Sequence, residues 1–108
     1  SIVMEGKEGA LAIRSTMERM RNNPPETIAG LKVAEIRDYL VYEGPIKLPK
    51  ENMLYFILEE GSWFAIRPSG TEPKLKVYIG TVSDSASEAQ KRIERLSSHI
   101  KSMLSYNE

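Results

Sequence analysis

Hydrophobic side chains recur along this chain with two different periods, and the changes of period mark out its elements. From Gly9 onward, Ala10, Ile13, Met17 and Met20 fall at spacings of three and four. That places them on one helical face and turns Arg14, Glu18, Arg19 and Arg21 away. Asn22-Asn23-Pro24-Pro25 ends the helix, because proline has no amide to donate and its ring clashes with the preceding turn. The Met-bearing stripe reads as core rather than ligand pocket, methionine being a flexible gap-filler. Near the C-terminus, Ala86, Ala89, Ile93, Leu96, Ile100 and Met103 repeat at the same spacing. Ser85, with Glu88 three residues on, forms a capping box for that second helix.

Between the helices the period falls to two. "LKVAEIRDYLVY" begins as a strand after Gly30, and its apolar phase switches near Glu35 to Ile36, which predicts a bulge or bend. Glu43 to Asn52 is a Gly- and Pro-bearing loop. "MLYFILEE" is apolar on both alternating faces and belongs in the middle of a sheet. Glu59 to Ser62 is a tight turn with Gly61 free to take positive φ. "SWFAIR" and "KLKVYIG" are the remaining strands. In the last, Leu75, Val77 and Ile79 alternate with Lys74, Lys76 and Tyr78, as a half-buried strand does. Ile2 to Met4 fits a short strand or a linker equally well. The expected architecture is α+β: a four-stranded antiparallel sheet with two helices packed on one face, residues 1–108 forming a single domain. The other face would carry Lys74, Lys76 and Arg67.

Charge and composition narrow the function. The 108 residues carry 15 basic and 15 acidic side chains, so nothing global attracts nucleic acid or an anionic membrane; an anion site must be local. There are no cysteines, which excludes disulfides and thiolate chemistry and fits a reducing, cytoplasmic setting. No apolar run approaches the ~20 residues of a membrane-spanning helix. "SIVMEGKEG" lacks the basic and then apolar regions of a signal peptide. The chain opens on Ser1 rather than Met, and we expect it to be a segment of something longer.

The densest chemistry lies in "AIRPSGTEPKLKVYIG", where Arg67, Ser69, Gly70, Thr71, Glu72 and Lys74 crowd a turn between Pro68 and Pro73. A hairpin needs only two suitable turn residues. A phosphate dianion, by contrast, needs a forked guanidinium, hydroxyl donors and converging amides. Arg67 supplies the fork, Ser69 and Thr71 supply hydroxyls and amides, and Lys74 and Lys76 add positive potential. Gly70 allows close approach and positive φ, and the prolines limit the entropy lost on binding. Ser, Gly, Thr and Pro are also what ordinary turns contain, and Glu72 partly cancels the cations. Turn chemistry alone leaves both readings open.

The motif "RPSGTEPKLKVYIG" resembles the phosphate-binding loop of the α-D-phosphohexomutase superfamily. "NPPETIAGLKV", "RDY", "LPKENML" and "EEGSWFAIRPSGTEP" extend the likeness over nearly the whole chain, to the C-terminal domain of bacterial phosphoglucomutases and phosphomannomutases. Phosphoglucosamine mutases share "RPSGTEP", but "GSWF" and the lysine-rich strand look more like the glucose/mannose branch. The resemblance implies the phosphoglucomutase C-terminal-domain fold and a parent enzyme of four domains around a deep cleft. There an active-site phosphoserine and Mg²⁺ held by aspartates carry out intramolecular phosphoryl transfer, interconverting sugar 1- and 6-phosphates in carbohydrate metabolism. This domain would grip the phosphate that is not reacting. Arg67, Ser69, Gly70 and Thr71 would contact it directly. Lys74 would support them, and Lys76 would be a secondary contact where relatives commonly have arginine. Lysine is a point charge and does not bind bidentately. Glu72 and Pro73 would shape the loop.

Neither a "TASHNP"-like phosphoserine segment nor a "DGDGDR"-like metal loop occurs, and Asp38 and Asp84 are the only aspartates. The single histidine, His99, sits on the flank of the last helix and reads as solvated, so Ser69 has no evident base to activate it. The fragment alone is expected to hold no Mg²⁺ and to be inactive. Its expected partners are a phosphosugar and the other domains of its parent, not nucleic acid or membrane. Two rivals stand beside this: a free-standing phospho-ligand regulatory module, and a nucleic-acid-binding sheet supported only by Tyr78 and the two lysines.

Overall fold

The computed structural model describes residues 2–7, 9–42, 44–45 and 49–105. In chain order its elements are β1 (Ile2–Lys7), α1 (Ala10–Asn22), β2 (Thr27–Ile28), β3 (Leu31–Asp38), β4 (Leu54–Leu58), β5 (Trp63–Pro68), β6 (Lys74–Gly80) and α2 (Ala86–Ser105). All neighbours in the sheet are antiparallel, in the order β1-β6-β5-β4-β3-β2.

Alternation decides which face is buried. Leu54, Phe56 and Leu58 of β4, Phe64 and Ile66 of β5, and Leu75, Val77 and Ile79 of β6 share one face and are almost wholly buried. Phe56 and Phe64 stack across the strands with centroids 4.4 Å apart. Ile13, Met17 and Met20 from α1, and Ile93, Leu96, Ile100 and Leu104 from α2, join the same cluster. Burying each such side chain is worth roughly 1.5–3 kcal/mol relative to leaving it in water. The opposite face carries Tyr55, Trp63, Arg67, Lys76 and Tyr78. Tyr55 and Trp63 stack there with centroids 5.2 Å apart. Trp63 is the register partner of Gly80, and a Cβ at Gly80 would collide with its indole.

The α+β class and the helices on one face are as expected, but the sheet is larger than four strands. Five long strands are joined by the two-residue β2. β1 pairs with β6 from Ile2↔Ile79 to Lys7↔Lys74. No local turn connects these strands, so nothing near Ile2 signalled the pairing. β2 is half of a tight hairpin whose two turn residues, Ala29 and Gly30, both have positive φ (51° and 83°), as a type I′ turn requires.

Several finer expectations also met the structure. The phase switch in β3 is a register shift between Val33 and Glu35, which brings Val33 opposite Leu58 and Ile36 opposite Phe56. Glu59–Gly61 forms a 3-10 turn with Gly61 at φ 71°. The amide of Glu88 donates to Ser85 Oγ at 3.2 Å, capping α2. His99 is exposed. Ala10 and Ala86 are exposed rather than core, because each opens its helix ahead of the turns that reach the sheet. Leu104 completes the α2 stripe, with Met103 only partly buried beside it. The Glu43–Asn52 loop falls partly outside the described residues, at Glu43 and 46–48.

Candidate functional site

β5 and β6 are joined by Ser69 to Pro73, and the turn is held mainly by its own backbone. The Ser69 amide donates to the Lys74 carbonyl at 2.9 Å, and the Lys74 amide to the Glu72 carbonyl at 2.8 Å. The Thr71 amide points at Ser69 Oγ, 3.4 Å away. Among the described residues, the amides of Gly70 and Glu72 have no acceptor within the chain. Gly70, Thr71, Glu72 and Pro73 are exposed, while Ser69 is half-buried.

Gly70 departs from expectation in one respect. The glycines with positive φ are Gly30 and Gly61, so Gly70 turns no amide through the left-handed region. A Cβ there would meet only open space. The turn closes through the Ser69–Lys74 and Glu72–Lys74 backbone bonds instead, and these need no left-handed residue.

Arg67 and Lys76 are direct cross-strand partners on the open face, and alternation puts Lys74 and Tyr78 on that same face. Lys74 lies 3.7 Å from the Glu72 carboxylate. Arg67 Nη1 donates to Glu51 Oε1 at 2.8 Å, while its Nε is buried without a partner. The Glu51 bond, and then the nearby Tyr78, raise the guanidinium above its ordinary range, so Arg67 is a permanent cation. Three cations (Arg67, Lys74, Lys76) thus face two carboxylates (Glu51, Glu72) around the turn.

Glu51 was not legible as part of this site. It sits 16 residues before Arg67, in the loop preceding β4, with no local motif to announce it. That loop is anchored. The Glu51 amide donates to the Tyr39 carbonyl at 3.1 Å, and the Met53 amide to the Glu51 carbonyl at 2.9 Å. Asn52 Oδ1 accepts from Arg21 Nη2 at 2.8 Å. Arg21 also donates to both Asp38 oxygens, at 2.7 and 3.3 Å. Arg21 therefore does not face away as its helical position suggested. It ties the end of α1 to β3 and to the loop that carries Glu51. A groove of about 250 Å³ runs between α1 and the turn, with Arg14 and Arg21 on one side and Ser69 and Glu72 on the other.

The arrangement offers donors and positive charge but little covalent chemistry. Ser69 Oγ accepts the Thr71 amide and has no basic partner among the described residues. No group of three or more His, Asp or Glu side chains among the described residues lies where it could hold a metal ion. No described helix is long and apolar enough to cross a membrane.

Residues 13–96 match the family model described as phosphoglucomutase/phosphomannomutase, C-terminal domain. A phosphoglucomutase of Staphylococcus aureus (strain MRSA252) is 44% identical over 88 residues, covering 73% of this chain and 16% of the relative. The phosphoglucomutase of Staphylococcus haemolyticus (strain JCSC1435) is 39% identical over 102 residues, covering 86% of this chain and 18% of the relative. The chain therefore spans under a fifth of the length of these relatives. The family match over most of the chain, with relatives of 39% and 44% identity, leads to one conclusion: the chain belongs to the phosphoglucomutase/phosphomannomutase family and corresponds to its C-terminal domain.

Proposed function

We propose that the Arg67–Lys76 turn holds the phosphate of a phosphosugar, within a larger enzyme that interconverts sugar 1- and 6-phosphates. The observation that carries this reading is the set of unengaged donors on one short turn. The Gly70 and Glu72 amides, with no acceptor among the described residues, lie next to the Ser69 and Thr71 hydroxyls. Arg67 and Lys76 stand side by side on the adjoining strands. A phosphate dianion uses all three kinds of donor. Open space above Gly70 lets an oxygen come close to the backbone.

The work of such a site is positioning and charge neutralisation. Donors that touch only phosphate oxygens are blind to the sugar, so the same turn serves a 1-phosphate and a 6-phosphate. Ser69, Gly70 and Thr71 would contact the oxygens through amides and hydroxyls, Arg67 through its guanidinium, and Lys74 and Lys76 through charge. In the parent enzyme, Mg²⁺ and a phosphoserine would supply the phosphoryl chemistry from other domains, and this chain alone would have no mutase activity. The absence of cysteine supports a cytoplasmic setting.

The test is an amide-shift titration of the 108-residue chain with glucose 1-phosphate, inorganic phosphate and glucose. Amides from Ser69 to Glu72 should shift with both phosphates and stay still with glucose. A turn that responds to none of the three, even at high concentration, would remove the claim of a self-sufficient cradle.

A further inference from the structure

We propose that Glu51 is a built-in competitor for the Arg67 guanidinium, an anion of the chain itself that holds phosphate affinity below what the turn's donors would otherwise give. This rests on the phosphate-binding reading above. A carboxylate and a phosphate ask the same thing of arginine, two parallel N–H donors and a positive charge. Glu51 Oε1 already sits 2.8 Å from Arg67 Nη1. Nε is closed off inside the protein, with no partner. Tyr78 is a further hydrogen-bond partner of the guanidinium. An oxyanion that arrives must either displace Glu51 from Nη1 or share the guanidinium with it. In both cases a negative charge beside the binding atoms opposes its entry.

Glu51 does not sit there by the chance swing of a loose loop. Its amide is bonded to the Tyr39 carbonyl at 3.1 Å, and its neighbour Asn52 is held by Arg21 at 2.8 Å. The backbone thus returns the carboxylate to Arg67 whenever the ligand leaves. The side chains of Arg67 and Glu51 are 36% and 45% exposed, so water can solvate the carboxylate when it is displaced. Such a pair releases its ligand readily and also keeps the arginine extended over the turn while the site is empty. Glu72, the other carboxylate at the site, lies by Lys74 and leaves Arg67 to Glu51.

The measurement is titration of inorganic phosphate into the 108-residue chain, read at the amides of Ser69 to Glu72. The variants are Glu51→Gln, Glu51→Asp and Glu35→Gln. Glu35 pairs with Arg37 within β3 at 2.8 Å, so its substitution makes the same change of net charge away from the turn. Glu51→Gln should tighten phosphate binding about two- to fivefold, the range expected for removing one exposed ionic contact. Glu51→Asp, which withdraws the carboxylate by one methylene, should fall between wild type and Glu51→Gln. Glu35→Gln should bind as wild type does. If wild type binds phosphate and Glu51→Gln binds it equally or more weakly, Glu51 is not a competitor and the cradle reading survives. If Glu35→Gln tightens binding as much as Glu51→Gln, the effect is one of overall charge and the proposal fails. If neither wild type nor Glu51→Gln responds to phosphate, the cradle reading falls and takes this proposal with it. Amide spectra that coincide away from the substituted sites establish that each variant is folded.

Discussion

Arg21, in the last turn of α1, donates from Nε to Asp38 Oδ2 at 2.7 Å, at the end of β3. With its second bond to Asp38 and its reach to Asn52, this one side chain joins α1 to the end of β3 and to the loop before β4. The side chains are only 24% and 19% exposed, so the pair is largely shielded from water. Burial opposes ionisation of Asp38. The Arg21 bond, the Leu40 amide and the Arg21 charge outweigh it, and the carboxyl is held below its ordinary value.

The sign of the pH dependence follows. Because the folded value is depressed, the contribution is fully present above the ordinary carboxylate value near 3.8 and is lost as pH falls through the folded one. Asp38→Asn should cost about 1 kcal/mol at neutral pH. Denaturant midpoints measured from pH 7 down to 2 should show the wild-type advantage shrinking below about pH 4. A difference that stays constant across that range would assign Asp38 no ionic role.

Gly80→Ala tests the aromatic face. The added methyl meets the Trp63 indole, which is stacked on Tyr55 and is not free to slide. Overpacking of this kind costs about 1–3 kcal/mol. Thermal unfolding should show the loss, and Trp63 fluorescence should report the displaced ring.

Phe64→Ala removes one partner of the central stack in a fully buried position. The cavity and the lost transfer free energy together should cost about 3–5 kcal/mol. A fall of less than about 1 kcal/mol in chemical denaturation would mean that the two rings do not anchor the core as described.

Arg67→Ala, made in the full enzyme, tests the proposed function. A residue that both holds the phosphate and orients the intermediate should raise KM and lower kcat together. Steady-state kinetics that match wild type in both parameters would sink the assignment of Arg67.

Much of the fold was legible because its signals are local. The α1 and α2 stripes, the Asn22–Pro25 stop, the Ser85 cap and the β3 bulge are each written within a few neighbouring residues. The Arg67–Lys76 hairpin was equally plain, since alternation on both strands and the turn residues between them fix its register. Ala10 and Ala86 misled because periodicity gives a helix its face but not the point at which that face reaches the sheet.

By itself the sequence determined the two helices with their apolar stripes, the strands that became β3 to β6, and the presence of one donor-rich turn between the last two of them. Those properties follow from side-chain period and turn chemistry, which act over a few residues. Only the tertiary structure decided that β1 closes the sheet against β6, that Arg21 belongs to Asp38 and Asn52, and that Glu51 stands against Arg67. These pairings join residues far apart along the chain. They depend on strand order and on where helix and loop come to rest, and no local pattern encodes them.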